Sequence, residues 1–537
     1  MAAAAQSRGN FNRVWLRRFA AILLALGVCF RLYNLGEKVY WHDETMTSLR
    51  LSGYTQPEFV AQVYDGQTRS AATLLEQYQY PNPTRGWPET WRALAQHPEH
   101  SPGYYVLARS WLSVMPHSVA SIRLLSALIG LLTLPAMFWV MGTLFPASPG
   151  NAVAWVTTAL FAVSPFQVLY SQEAREYSLW TLAILVSSAA LLQARRWRGW
   201  MGYGVAAAAA LYVHPFSAFV LMSHGLYMAI ARKARHWLGF LGAIALAVLL
   251  FLPWLVVVLQ NFAQFTGNTA SVNANRAGSM PLFWMLNLSR IFFDLNQGPS
   301  AINLAHYLLA ALAIAAVVNL CRTEPPQRWV FVVTLMGVTG LALIGPDVLL
   351  GGRRSSITRY AVPAYLGLQM AVGHFLGQRI GMAATGNRRR WRSVAIALAL
   401  GGVLSCAVSA HVPVWWHKSY AKSRRLPDVA QIVNAAVDSR PNTLLLSDFQ
   451  PAGRILSLLH NLDPQVPVQL VETPRQVTLP KRRSGSDTPS DTLVFLPSKR
   501  LTRRLTRQLE RRDMTLEPVP FETQDDPWLF KAAGDGP

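Results

Sequence analysis

The chain has 537 residues, of which 52% are hydrophobic and only 14% charged. That balance excludes a soluble globular domain and fits a polytopic α-helical membrane protein. Lys and Arg number 49 against 27 Asp and Glu, a formal charge of +22, which in such a chain serves cytoplasmic loops and membrane lipids, so no nucleic-acid partner is expected.

The first apolar run, 19–33, is preceded by Arg8, Arg13, Arg17 and Arg18. Arg31 and Tyr33 close it without a small-residue cleavage site, so it reads as a retained signal anchor with a cytoplasmic N-terminus. A span needs about 20 apolar residues. Eleven candidates lie near 15–34, 122–145, 151–170, 177–194, 199–213, 215–231, 237–259, 301–321, 329–350, 360–379 and 393–411. Started from inside, eleven spans put the basic connectors at 195–199, 232–235 and 387–392 in the cytoplasm, as the positive-inside rule requires. The segment 103–115 is short and interrupted by Arg109, and it reads as a helix lying on the membrane surface. The outer face then carries a first loop at about 35–121, a turn at 171–176, a loop at 260–300 and the tail after His411.

Cys29, Cys321 and Cys406 fall in or beside apolar segments and form neither a disulfide framework nor a zinc pattern. Beyond His411, short apolar runs at 443–448, 466–472 and 492–497 predict strands, and 428–437, 450–462 and 498–512 predict helices. The expected division is a transmembrane domain over 1–410 and a small extracytoplasmic α/β domain over 411–537. Its segment 480–491 reads as a polar loop. In the last helix Leu501, Leu505 and Leu509 form one stripe and arginines fill the other faces.

Four clusters carry chemistry. Asp43 and Glu44 are adjacent acids just beyond the first span, where a carboxylate can accept a proton or bind a cation, or simply cap a helix. The outer turn places Glu173, Arg175, Glu176 and Tyr177 between two apolar segments, which is costly unless they pair or serve a site. His100, Tyr104 and Tyr105 close the first loop, and His214 sits at another outer turn. Arg353, Arg354 and Arg359 stand on the outer side, where topology does not explain them, and guanidinium groups there suit a lipid phosphate. No P-loop, GxGxxG, nucleophile elbow or HExxH occurs.

Taken in order, RLYNLGEKVYWHDE, HSPGYYVLARSWL, SIRLLSALIGLLTLPAMFWV, ALFAVSPFQVLYSQEAREYSLW and RYAVPAYLGL, over about 28–380, resemble the GT-C superfamily of membrane glycosyltransferases. The likeness is to the bacterial relatives of protein O-mannosyltransferases and of lipid A aminoarabinose transferases. It implies inverting transfer of a hexosyl or pentosyl group from a polyprenyl-phosphate carrier to a lipid, glycan or protein acceptor at the outer face. Asp43 matches the family's general base, with Glu44 beside it. The second acid is usually an Asp in the next outer turn; here the stretch reads SQEAREY, so Glu173 or Glu176 stands in its place. Substrate contacts are expected from Arg175, Glu176, His100, Tyr104, His214, Arg353, Arg354 and Arg359. A divalent cation serves some members and not others, and no other cofactor is implied. Competing readings are a transporter or flippase, and a polymerase or ligase, of lipid-linked saccharide. A transporter would show internal repeats and charges near the midplane, whereas these acids gather at one face.

Overall fold

The computed structural model describes residues 2–273, 279–382, 385–441, 443–477, 492–511, 513–521 and 527–534. The chain divides into two compact units: Met1–Gly36, His97–Ala108 and Ser118–Val412 in the first, and Glu37–Gln96, Arg109–His117 and Pro413–Pro537 in the second.

The first unit is helical. Each of the eleven apolar segments falls on a helix: Ala2–Leu32, Val119–Leu144, the pair Ala152–Ala162 and Pro165–Ser171, Tyr177–Gln193, Trp197–Val213, Ser217–Ala231, Trp237–Gln260, Leu304–Thr323, Pro326–Leu350, Val362–Met382 and Thr385–Ala410. Among the described residues, five helices are long and apolar enough to cross a membrane, or six if the pair bent by 59° counts as one. Pro165 causes that bend, because Ser164 before it takes an extended conformation, φ −64° and ψ 120°, that cannot continue the helix. Tyr177–Gln193 and Ser217–Ala231 have 17 and 15 residues. At 1.5 Å per residue they rise about 26 and 23 Å, short of a hydrocarbon core of about 30 Å.

Ala152–Ala162 packs closely against Val362–Met382, and both are largely buried. Gly373 and Gly377 lie one turn apart on the latter; a Cβ on Gly377 would sit 2.6 Å from Val153 Cα, and one on Gly373 would collide with Thr157. Small residues four apart let two backbones approach in a setting where apolar burial alone drives little association. The segment expected to lie on the membrane surface is the helix Gly103–Leu112, whose 10 residues rise only about 15 Å.

The second unit is built on a six-stranded sheet in the order β1-β3-β2-β4-β6-β5. Its strands are β1 (Asp65–Ser70), β2 (Leu444–Ser447), β3 (Pro467–Val471), β4 (Thr492–Phe495), β5 (Met514–Pro518) and β6 (Leu529–Gly534). β2 pairs parallel with β3 and β4, and the remaining pairings are antiparallel. Strand side chains alternate between faces. Leu445 and Leu493 therefore pack with Val429, Val433, Ile455 and Leu459 on one face, while Leu446 and Val494 meet Leu501 and Leu505 on the other. The leucine stripe of Lys499–Glu510 is thus core, with Arg500, Arg503 and Arg507 exposed and Arg504 half-buried.

One expectation about this unit changes. Its compact body is not 411–537 alone, because the first loop enters it: β1 pairs with β3 from Asp65↔Val471 to Ser70↔Pro467. Tyr64 Oη also donates to the Phe449 carbonyl at 2.6 Å. The polar loop expected at 480–491 lies outside the described residues.

Candidate active site

Asp43 and Glu44 open the helix His42–Leu51 in the second unit. Trp41 is its N-cap, with φ −84° and ψ 175°, and its backbone N–H donates to Glu44 Oε2 at 3.4 Å. Glu44 therefore does what an acid at the third position of a helix commonly does. Its carboxylate also meets Lys418 Nζ at 2.7 Å, with both side chains fully buried. Asp43 is half-buried, in a first turn whose exposed N–H groups favour negative charge. The two acids thus separate by environment: Glu44 is neutralised inside the unit, and Asp43 stands at its margin.

The outer turn and the other expected site residues belong to the first unit. Glu173, Arg175 and Glu176 are all buried. Arg175 Nη2 pairs with Glu176 Oε1 at 2.9 Å, and the Arg175 guanidinium lies 5.7 Å from the Tyr177 ring centre. Gln172 fixes the turn against the end of the first helix, donating to the carbonyls of Phe30 and Tyr33 at 2.7 Å each.

His214 stacks on Trp180 with ring centres 3.9 Å apart and planes at 12°. Its Nδ1 accepts from the Phe216 backbone N–H at 3.1 Å, so the neutral ring carries its proton on Nε2. Arg175 and Arg359 both lie within electrostatic reach of His214. Glu173, Arg290 and Arg359 lie within such reach of Tyr170. An aromatic wall joins them: Tyr170 meets Tyr177 at 5.0 Å and Phe166 at 4.8 Å, and Phe166 meets Tyr365 at 5.2 Å. Glu173, Arg175, Glu176, His214 and Arg359 therefore come together in one aromatic-lined cluster.

The three outer arginines do not act as one clamp. Arg354 Nη1 pairs with Asp347 at 3.0 Å, and the other Asp347 oxygen accepts from the Ser355 N–H and hydroxyl, both at 2.7 Å. Arg353 is exposed. Arg359 alone reaches the cluster, with its guanidinium 5.6 Å from the Tyr360 ring centre.

Tyr104 is fully buried, its hydroxyl 2.9 Å from Ser126 Oγ. His100 Nε2 lies 3.8 Å from Glu99. Glu99 also bonds His97 Nδ1 at 3.3 Å and Asn268 Nδ2 at 3.1 Å. Burial alone would raise the Glu99 carboxyl, but these hydrogen bonds outweigh it and hold it below the ordinary carboxylate range. Among the described residues, no group of three or more His, Cys, Asp or Glu side chains could hold a metal ion.

The family model of dolichyl-phosphate-mannose-protein mannosyltransferase matches residues 97–257. The crystal structure of ArnT from Cupriavidus metallidurans bound to undecaprenyl phosphate is 15% identical, with 97% of this chain and 98% of that chain covered and a TM-score of 0.51. Its apo form is 14% identical, with 97% of each chain covered and a TM-score of 0.53. The chain shares its fold with these ArnT structures, and part of it matches the mannosyltransferase family model. No curated protein matches the sequence.

The structure also places residues that the sequence did not announce. Lys418 lies 374 positions from its partner Glu44. Arg290, buried in the loop after the seventh apolar segment, donates to Asn287 Oδ1 at 3.0 Å, lies 3.9 Å from Asp294, and reaches Tyr170 and Tyr365. The signal for it was Asn287, Arg290 and Asp294 punctuating the apolar run WMLNLSRIFFD.

Proposed function

We propose that this protein transfers a sugar from a polyprenyl-phosphate carrier to an acceptor hydroxyl at the outer face of the membrane, with inversion. The observation that carries the reading is the GT-C fold, covering 97% of the chain, in a likeness to an enzyme crystallised with undecaprenyl phosphate. The separated acids fit it: Glu44 is held by Lys418, leaving Asp43 as the general base. In this account eleven spans run from a cytoplasmic N-terminus, and Gly103–Leu112 lies on the outer membrane surface.

Asp43 takes the proton of the acceptor hydroxyl as that oxygen attacks the anomeric carbon. The bond from that carbon to the carrier phosphate oxygen breaks, and the electron pair leaves with the polyprenyl phosphate. One displacement inverts the centre. Arg359 and Arg290 face the charge that develops on the leaving phosphate, and His214 offers its Nε2–H as a further donor. Glu176 fixes Arg175, and Glu173 completes the turn that presents it. The aromatic wall suits the apolar faces of a sugar and its isoprenoid.

The test is incubation of the purified protein in liposomes with a labelled polyprenyl-phosphate sugar and cell-envelope acceptors. A labelled product whose anomeric configuration is opposite to the donor's is expected. Movement of label across the bilayer without a new glycosidic bond would replace the reading with transport.

A further inference from the structure

The second unit contains a cavity of about 130 Å³, lined among others by His42, Lys422, Leu426, Phe449, Pro451 and Arg454. None of its lining residues is acidic. Two are cationic. Arg454 is half-buried, its guanidinium 5.0 Å from the Phe449 ring centre and 4.8 Å from that of Trp528. Such stacking holds the guanidinium plane while leaving its N–H groups available. Lys422 is exposed, a second positive charge at the same opening.

Three helices begin here. His42 is the first residue of His42–Leu51, Leu426 is the first of Leu426–Ser439, and Pro451 is the N-cap of Ala452–Leu459. Asp43, Glu44 and Asp428 already offset the first turns of two of them, whereas Ala452–Leu459 has no acid in its first turn, so its N-terminal N–H groups and partial positive charge favour an anion. The His42 ring packs directly on Gly453, where a Cβ would collide with it, and Thr45 Oγ1 donates to the Gly453 carbonyl at 3.2 Å. The helix that carries Asp43 is therefore joined to the helix that carries Arg454.

We propose that this cavity is a subsite for an anionic substituent of the acceptor, a phosphate or carboxylate, bound beside the residue that precedes Asp43. The inference rests on the transferase reading. A volume of about 130 Å³ is enough for a phosphate or carboxylate group. The cavity therefore recognises one charged group of the acceptor, with the remainder outside it.

The experiment titrates the full-length protein in nanodiscs with inorganic phosphate, read by calorimetry. Lys422→Gln and Arg454→Gln are each expected to weaken phosphate binding by about tenfold or more, as loss of a charge-assisted hydrogen bond does. Asp43→Asn is expected to bind phosphate as the wild type does. Arg454 also packs on two rings, so the exposed Lys422 supplies the variant that leaves the fold intact. In transfer assays Lys422→Gln is expected to raise KM for an anionic acceptor with kcat unchanged, and to leave a neutral acceptor unaffected. Wild-type phosphate affinity in both variants would overturn the proposal, as would absence of binding to the wild type. The phosphate binding that Lys422→Gln and Arg454→Gln remove reads the cavity without any transfer, so failure of the transferase reading is separately visible as a protein that loses phosphate affinity in these variants but moves no sugar.

Discussion

Glu44 and Lys418 provide the sharpest stability test. Their side chains meet at 2.7 Å with no exposure of either. The pair ties the helix bearing Asp43 to the turn Trp416–Lys418, whose Lys418 carbonyl accepts from Ser423 Oγ at 2.7 Å. Glu44→Leu or Lys418→Met alone strands a charge in a dry site, and breaking a buried pair in this way costs about 3–5 kcal/mol. Replacing both with apolar side chains of similar volume is often near neutral, so Glu44→Leu with Lys418→Met should recover most of the loss. Domain stabilities are about 5–15 kcal/mol, so either single change removes a large share. The assay is denaturant unfolding of the full chain in detergent, followed by fluorescence of the buried Trp41 and Trp415 and analysed as a double-mutant cycle. Single variants within about 0.5 kcal/mol of wild type, the range of ordinary surface substitutions, would refute the reasoning. So would a double variant whose loss equals the sum of the singles.

Three further outcomes follow from the same geometry. Leu505→Ala removes a side chain buried between β2 and β4 and their covering helix, and should lower stability by about 2–5 kcal/mol in the same unfolding assay; a change below about 0.5 kcal/mol would place that helix off the sheet. Arg359→Gln should weaken binding of a polyprenyl-phosphate donor by about 10- to 100-fold, the scale of a hydrogen bond to a charged group, whereas Arg353→Gln at an exposed position should change it little; equal effects would restore the joint clamp. Arg69, bonded to both Asp65 oxygens at 2.8 and 2.7 Å, holds that carboxyl down to about 2. The stability it adds is therefore complete above the ordinary Asp value of about 3.9 and is lost as pH falls towards the folded value. Asp65→Asn should flatten that limb of the acid unfolding curve by less than about 1 kcal/mol; an unchanged limb would contradict the assignment.

The helical segments were legible because each apolar run is long enough to declare itself, and β2, β3 and β4 because they are short apolar runs between turn residues. β1 was not, for a physical reason. It is an edge strand with the polar sequence DGQTRS and no buried residue, and edge strands carry charge that masks the alternating pattern. Its pairing with β3, some 400 positions away, is what draws the first loop into the second unit. The site shows the same division. Adjacent acids at 43–44 and the charged turn at 173–176 stand out in one dimension. Which acid is neutralised, and which arginine is already paired, depends on Lys418 and Asp347, partners that only the fold brings near.

The most direct measurement compares Asp43→Asn with wild type in single-turnover transfer from a labelled polyprenyl-phosphate sugar, with donor binding measured on the same preparation. A positioned general base contributes about 10²- to 10⁴-fold. The account predicts a loss of that size with donor affinity retained, and transfer at the wild-type rate would contradict it.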